Sequence, residues 1–150
     1  MEFDRDMSVV AREIDKVRTI RFPNSVREIR YGAFEKNGQL RAVVLNEGLE
    51  VLGWSEDDQR CGVFSETGIR QVTLPSTLRV LGARAFSRCG ELRRVAFAEG
   101  IAIAEIRAGC FSGSGVEQVT VPASVTAIRD DAFSHCEYLK KISLDRKSVV

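Results

Sequence analysis

The chain contains 150 residues, of which 44% are hydrophobic and 29% are charged, as in an ordinary folded domain or short repeat array. Its 22 basic and 21 acidic residues give a formal charge of +1, which excludes a globally basic surface for polyanions and leaves only local patches. No apolar run approaches the ~18 residues of a membrane span, so we expect no membrane insertion. Acidic residues stand where a secretory signal carries basic ones, so the chain as written is expected to be cytoplasmic.

Residues 1–16 precede the repeats and show a helical pattern. Phe3, Met7, Val10 and Ile14 fall on one face of a helix. The terminal units of a repeat stack are usually atypical, because an open end would expose the core. We therefore predict that residues 1–16 form a capping helix or a degenerate half-repeat.

Six apolar triplets follow, each in the order apolar-x-x-apolar-x-apolar. They are Val17/Ile20/Phe22, Leu40/Val43/Leu45, Ile69/Val72/Leu74, Leu92/Val95/Phe97, Val116/Val119/Val121 and Leu139/Ile142/Leu144. The last two members of each triplet alternate about one intervening residue, which is the period of a strand. All three prolines of the chain, Pro23, Pro75 and Pro122, directly follow a triplet, where a residue without an N–H donor ends a strand.

A second apolar pair and a phenylalanine complete each unit. The pairs are Val26/Ile29, Leu49/Leu52, Leu78/Leu81, Ile103/Ile106 and Val125/Ile128, and the phenylalanines are Phe34, Phe64, Phe86, Phe111 and Phe133. One unit of about 23 residues cannot bury its triplet and its phenylalanine alone, so stacked units must bury them as columns. We predict an α/β repeat solenoid with one parallel strand per coil. It comprises five coils and the start of a sixth over residues 17–144, and a tail at 145–150.

The four cysteines and the single histidine form no recognisable chemical site. Cys61, Cys89, Cys110 and Cys136 contain no C-x-x-C pair, and their spacings match no zinc pattern. Cys89 and Cys136 occupy one repeat position two units apart, which is too far for a disulfide if strands lie about 4.8 Å apart. The sequence forces no catalytic arrangement of serine, cysteine or acid together with His135, apart from the adjacent Cys136, whose side chain we expect to face inward. We predict buried structural cysteines, no enzymatic activity, no metal and no cofactor.

The repeat pattern resembles a known family. Leu-x-x-Val-x-Leu-Pro-x-Ser-Leu/Val-x-x-Ile-Gly-x-x-Ala-Phe-x-x-Cys is clearest in Ile69–Cys89 and Val116–Cys136, and it is similar to the BspA-type leucine-rich repeat. The resemblance covers about residues 17–144. It implies a solenoid with a parallel β-sheet on one face and short helices or turns on the other. It also implies protein–protein binding of an adhesion or host-interaction type, and it allows a location at the cell surface.

A basic column is the first candidate site. The residue after the first apolar position of each strand is Arg18, Arg41, Arg70 and Arg93 in the first four units. Stacked like charges are mildly unfavourable, so a file of arginines indicates an acidic partner: a protein segment or another polyanion. The alternative is a solvated rim, in which arginine stems cover apolar surface and nearby acids relieve the charge. Those acids are Glu28, Glu91 and Glu117.

The second candidate is a seven-residue insertion within residues 53–61, which holds Trp54 and three consecutive acids. Insertions in repeats emerge as loops on one face, and tryptophan is a favoured contact residue. The alternative is an ordinary polar loop with Trp54 folded back toward Phe64. A calcium site is not expected, because calcium ligands alternate along a loop.

The third candidate is the outward side of the strands, which repeat solenoids use to bind proteins. Its predicted members are Thr19, Arg21, Ala42, Val44, Gln71, Thr73, Arg94, Ala96, Gln118, Thr120, Lys141 and Ser143. We predict a protein-interaction module whose contact residues include Val44, Gln71, Thr73 and Arg94, together with the arginines and Trp54. Nucleic acid is not expected as a partner, because no aromatic residues interleave with the arginines. The alternative functions are self-stacking through an uncapped C-terminal end, as a fragment of a longer repeat protein, and polyanion binding.

Overall fold

The computed structural model describes residues 17–60 and 62–145, and it builds them from eleven short strands that all pair in parallel. The strands are β1 (Thr19–Arg21), β2 (Glu28–Ile29), β3 (Ala42–Val44), β4 (Val51–Leu52), β5 (Gln71–Leu74), β6 (Val80–Leu81), β7 (Arg94–Phe97), β8 (Glu105–Ile106), β9 (Gln118–Val121), β10 (Ala127–Ile128) and β11 (Lys141–Leu144). The capping helix predicted over residues 1–16 and the tail beyond residue 145 lie outside the described residues.

The odd-numbered strands, one per coil, lie side by side in a two-stranded and a four-stranded sheet, which we together call the first sheet. β1 pairs with β3, and β5, β7, β9 and β11 pair in succession. The N–H of Arg70 donates to the carbonyl of Arg41 (3.2 Å), which carries the ladder from β3 to β5. The register places equivalent residues side by side, as with Val72 and Val95. The predicted strand in each coil is therefore confirmed, and the columns follow from the constant repeat.

The even-numbered strands form a second line of parallel pairs behind the first sheet. β2, β4 and β6 align Ile29, Leu52 and Leu81 in one buried column, and β8 pairs with β10. The coils approach closely here. A Cβ atom added at Gly82 would overlap the carbonyl oxygen of Gly53 in the preceding coil, so the chain requires glycine at this position.

The phenylalanine column is confirmed. Five rings stack along the solenoid at centroid distances of 5.4–5.7 Å and interplanar angles of 4–15°: Phe34, Phe64, Phe86, Phe111 and Phe133. A third backbone ladder accompanies the rings, because the N–H groups of Phe34, Phe64, Phe86 and Phe111 each donate to a carbonyl of the next coil. The Phe86 N–H, for example, donates to the carbonyl of Cys110 at 2.8 Å. Ring stacking and main-chain bonds thus join the same turns.

Left-handed residues explain why these turns are not helices. The residue two positions after each phenylalanine has positive φ: Lys36 (63°), Glu66 (60°), Arg88 (57°), Gly113 (69°) and His135 (54°). Arg84 and Asp131, two positions before a phenylalanine, are left-handed as well. A helix needs consecutive right-handed residues, so these interruptions stop it within one turn. The described residues contain no helix, so the α part of the predicted α/β class is not found there. Of the predicted short helices or turns, the described residues contain turns.

The cysteines described by the structure are free thiols inside the stack. The Cys89 thiol donates to the carbonyl of Phe64 (3.0 Å), and the Cys136 thiol donates equivalently to Phe111 (3.1 Å). Burial raises the pKa of Cys89 and of Cys110, because a thiolate would lose its hydration there. The prediction of structural thiols is confirmed for these cysteines, with Cys136 only partly buried.

Candidate interaction surface

The outward side chains of the first sheet form a continuous surface, which we call the strand face. Each of its members is exposed or half-exposed: Thr19, Arg21, Ala42, Val44, Gln71, Thr73, Arg94, Ala96, Gln118, Thr120, Lys141 and Ser143. The residues between them, such as Val72 and Val119, are buried. Strand alternation thus places Val44, Gln71, Thr73 and Arg94, the predicted contact residues, on one accessible side. Val44 is 40% exposed and offers apolar contact area.

The arginine column, Arg18, Arg41, Arg70 and Arg93, runs along the edge of the strand face. The N–H of Arg41 donates to the carbonyl of Arg18 at 2.8 Å, and the N–H of Arg93 donates to Arg70 at 2.9 Å. The N–H of Glu117 continues this ladder to Arg93. The residues predicted to form a column are therefore neighbours in successive coils, joined by backbone hydrogen bonds.

Two of these arginines are engaged in holding turns. Nη1 of Arg93 donates to the carbonyls of Gly90 (2.6 Å) and Gly115 (3.3 Å), and its guanidinium lies 4.8 Å from the centroid of the Tyr138 ring. Its Nε is 3.9 Å from a carboxylate oxygen of Glu117. A Cβ atom at Gly115 would overlap the guanidinium, so this glycine makes room for the arginine of the coil before it.

Arg41 has the same arrangement one pair of coils earlier. It donates to the carbonyl of Gly38, and a Cβ atom at Gly68 would overlap its guanidinium. Arg18 and Arg70, by contrast, are exposed. The column thus contains two arginines bound to turn carbonyls and two that face solvent.

The charge on this side of the molecule is unbalanced. The strand-face positions and the column, which Glu117 and Lys140 continue, hold eight basic side chains and one acidic side chain: Arg18, Arg21, Arg41, Arg70, Arg93, Arg94, Lys140 and Lys141, against Glu117. Two further acids, Glu99 and Asp145, lie just beyond the ends of β7 and β11. The whole chain has a formal charge of only +1, so most of the compensating acids lie elsewhere. This side therefore presents a positive potential to an approaching partner.

The insertion loop, of which the structure describes residues 53–60, is anchored on another side of the coils. A carboxylate oxygen of Asp58 lies 2.9 Å from Nη2 of Arg107, and Nε of Arg84 donates to the Asp58 carbonyl at 3.1 Å. The Arg60 guanidinium lies 5.4 Å from the centroid of the Tyr31 ring. These partners follow the strands of the second line, so the loop spans coils along that side. The sequence alone did not identify Arg84, Arg107 or Tyr31 as its partners.

Trp54 is 43% exposed, so much of its indole faces solvent. Because the loop rests on the second line of strands, Trp54 is not brought together with Val44, Gln71 and Thr73. It forms a separate candidate contact.

The last described coil exposes positions that are buried in earlier coils. Ile142 lies beside buried Val119 but is 44% exposed, and Leu144 lies beside buried Val121 but is 54% exposed. Ile128 likewise pairs with fully buried Ile106 and is exposed. These three side chains form an apolar end face.

Reactive and metal-binding groups are sparse in the described part of the chain. No group of three or more histidine, cysteine or acidic side chains that could hold a metal ion occurs in residues 17–60 and 62–145. His135 is exposed in a turn, and the neighbouring Cys136 thiol donates inward. No helix of the described residues has the length and apolar character that crossing a membrane requires.

The repeats match a family profile described as "BspA type Leucine rich repeat region", with six copies over residues 12–55 and 60–149. The chain belongs to this family. The match confirms the resemblance inferred from the Ala-Phe-x-x-Cys pattern and identifies the chain as a BspA-type leucine-rich-repeat scaffold.

Solved structures share the fold of this chain. The pneumococcal vaccine antigen PcpA is 21% identical, with a TM-score of 0.71 over 85% of this chain and 30% of its own. A leucine-rich repeat protein from Bacteroides ovatus is 24% identical, with a TM-score of 0.59 over 85% of this chain and 37% of its own. A leucine-rich cell surface protein from Faecalibacterium prausnitzii is 21% identical, with a TM-score of 0.56 over 88% of this chain and 40% of its own.

These likenesses establish the fold alone. The BspA-type chain spans less than half the length of each of these structures. No curated protein sequence matches it significantly.

Proposed function

We propose that this BspA-type chain is a protein-recognition module whose strand face binds an acidic surface of its partner. The observation that carries the proposal is that the strand-face and column positions of a nearly neutral chain hold eight basic side chains and one acidic side chain. Like charges on neighbouring strands repel, so this arrangement does not favour folding. An acidic partner would convert that repulsion into attraction and would accelerate association.

The exposed arginines are the residues that test this proposal. Arg41 and Arg93 hold turn carbonyls, so changing them would disturb the fold as well as the surface. Arg70 and Arg94 are exposed and lie on the column and the strand face. Arg70→Glu/Arg94→Glu therefore reverses the charge of the surface while leaving those turns intact.

The matched control is Arg30→Glu/Arg79→Glu, which makes the same change in net charge at exposed positions beside the second line of strands. Partner capture is measured with the purified wild type and both double variants, after circular dichroism shows that all three are folded. We expect Arg70→Glu/Arg94→Glu to reduce capture at least about tenfold and the control to leave it within about twofold. Equal losses in both variants, or no loss in either, would contradict recognition through the strand face.

Salt dependence separates a protein partner from a polyanion. A polyanion that displaces counterions loses affinity by a factor of about 10³ or more between about 50 and 200 mM salt when it makes six or more contacts. A protein partner that also contacts Val44 and Ala96 would lose less affinity over this range, because salt does not screen its apolar contacts. The polyanion alternative would be favoured if heparin binds with an affinity that falls this steeply with salt and also displaces the captured proteins.

A second candidate function, self-association, is favoured by the apolar end face. The exposure of Ile128, Ile142 and Leu144 resembles a sheet that lacks its next strand, and a second copy could supply that strand. Sedimentation equilibrium of the wild type and of Ile142→Lys/Leu144→Lys tests this candidate. A concentration-dependent dimer that the double variant abolishes would support it, whereas a wild-type monomer at high concentration would rule it out.

A further inference from the structure

The outer edge of β11 has no neighbouring strand among the described residues. β11 pairs with β9 on one side only. The N–H of Asp145, directly after β11, donates to the carbonyl of Val121 in β9 at 2.8 Å. Because backbone N–H and C=O groups alternate in direction along a strand, those of Ile142 and Leu144 point away from β9. An edge of this kind accepts an added strand.

The two sides of β11 differ in chemistry. On the core side, Ile142 and Leu144 are exposed, although their neighbours in β9 are buried. On the outward side, Lys141, Ser143 and Asp145 line the same cavity of the strand face. Neither Lys141 nor Asp145 forms an ion pair with another described residue. A strand added at this edge therefore has to cover two apolar side chains and to face one charge of each sign.

A second β11 has these properties when it runs antiparallel about a twofold axis at Ser143. Ile142 of each copy then lies opposite Leu144 of the other as a hydrogen-bonded pair, since their backbone groups point toward the new neighbour. Lys141 lies opposite Asp145 in non-hydrogen-bonded pairs, whose side chains approach more closely. Opposite charges directly across two strands attract, so β11 is complementary to itself in this register.

The first coil offers no equivalent apolar face. Ile20 and Phe22 hold the positions there that Ile142 and Leu144 hold in the last described coil, yet both are buried. Head-to-tail stacking needs an open apolar face at each end of the molecule. Contact through the same face of both copies needs only one, and it closes as a dimer rather than growing into a filament.

We propose that two copies of this chain form a closed dimer by antiparallel pairing of β11, with Lys141 of each copy against Asp145 of the other. The inference rests on the self-association candidate and specifies its strand, register and symmetry. The twofold axis is perpendicular to the sheet, so both strand faces lie on the same side of the dimer. A partner with two acidic sites is then held by both copies at once.

Charge reversal tests the register. Lys141→Asp places an aspartate opposite Asp145, and Asp145→Lys places a lysine opposite Lys141. We expect each single variant to weaken dimerisation at least about tenfold at about 50 mM salt. The double variant Lys141→Asp/Asp145→Lys should return to within about threefold of the wild type. An equimolar mixture of the two single variants should form a heterodimer, because every contact then pairs opposite charges.

Two control variants separate strand pairing from other contacts. Arg94→Asp makes the same change of charge as Lys141→Asp, but on β7, two strands from the edge. Ile128→Lys places a charge on the apolar end face outside β11. Because β11 stands one coil beyond Ile128, pairing keeps the two Ile128 side chains about three strand spacings apart, or about 14 Å. We expect both controls to leave dimerisation within about threefold.

Sedimentation equilibrium between about 1 µM and 1 mM measures the dissociation constant, after circular dichroism shows that each variant is folded. Hydrogen exchange followed by NMR reports the strand itself. The amide protons of Ile142 and Leu144 should exchange at least about tenfold more slowly at dimer concentrations than after dilution. A dimer without this protection would overturn strand pairing.

The remaining outcomes are distinct. A wild-type monomer up to about 1 mM would overturn both this dimer and the self-association candidate, and it would leave recognition through the strand face standing. A dimer that Ile142→Lys/Leu144→Lys abolishes but that Lys141→Asp and Asp145→Lys leave unchanged would overturn the register and retain self-association. Equal losses with Ile128→Lys would point to general contact of the end faces and overturn the pairing of β11. Growth beyond a dimer would overturn the twofold symmetry.

Discussion

Truncation of Phe86 tests whether the ring column holds the coils together. Phe86 is fully buried and stacks between Phe64 and Phe111, at 5.7 Å from each, with interplanar angles of 15° and 4°. Phe86→Ala removes the ring from the core and leaves a cavity, which costs roughly 3–5 kcal/mol in well-packed proteins. Each lost ring contact accounts for about 0.5–1.5 kcal/mol of such a cost beyond the buried area.

Phe133 provides the matched control at the end of the column. Among the described residues its ring stacks on Phe111 alone, at 5.4 Å, and it is only partly buried. Phe133→Ala loses one ring contact rather than two and leaves a site that solvent can reach. We therefore expect a cost of about half that of Phe86→Ala, or about 1.5–2.5 kcal/mol.

Urea unfolding measures both costs. Far-ultraviolet circular dichroism reports the whole stack, and Trp54, the only tryptophan, reports the insertion loop. Coincident transitions and an unchanged dependence on urea justify comparing free energies of unfolding, because repeat arrays can also unfold in parts. If Phe86→Ala costs less than about 1.5 kcal/mol, or no more than Phe133→Ala, the column does not couple the coils as described.

Three further predictions concern the turns and the buried thiols. Arg93→Ala should lower the free energy of unfolding by about 1–3 kcal/mol, because the bonds to the turn carbonyls are lost, whereas Arg70→Ala should change it by no more than about 0.5 kcal/mol. Thermal and urea unfolding compare the two variants. Equal effects would refute the distinction between arginines that hold turns and arginines that face solvent. Gly82→Ala should cost more than about 2 kcal/mol, because its Cβ overlaps a backbone carbonyl, but Gly90→Ala, which faces open space, should be neutral or stabilising by up to about 1 kcal/mol. Burial raises the pKa of Cys110 above its ordinary value of 9.0. As pH rises past 9.0, this thiol therefore ionises in the unfolded chain before it ionises in the folded chain. The stability that the neutral thiol contributes below that pH is lost above it. For this thiol the loss reaches about 1.4 kcal/mol per pH unit. Between about pH 8 and 11 the free energy of unfolding should therefore fall less steeply with pH for Cys110→Ala than for the wild type. An identical dependence on pH would contradict the effect.

The regular part of this fold could be predicted because the repeat determines it. Once Thr73 and Ala96 occupy equivalent positions in successive units, stacking fixes their register, their direction and their exposure. The ring column follows by the same reasoning, since one large apolar side chain per coil must meet its equivalents. The column of Phe86 and Phe111 required no information beyond spacing.

The irregular features depend on residues that the repeat leaves free. Whether an arginine faces solvent or a turn depends on a glycine in the next coil, as with Arg93 and Gly115. The insertion loop is held by side chains of several coils, among them Arg84 and Arg107, which no local pattern connects to Asp58. The left-handed turns were also unexpected, because non-glycine residues such as Arg88 occupy them.

Each column arginine that holds turns lies against a glycine of the following coil. Arg41 lies against Gly68 and Arg93 against Gly115, whereas the coil between them has exposed Arg70, followed by Glu91 before the next strand. A side chain at either glycine would overlap the guanidinium of the preceding coil. A coil whose column arginine is bound in this way must therefore be followed by a coil with glycine at that position, which restricts the order in which coils of this chain can be exchanged or duplicated.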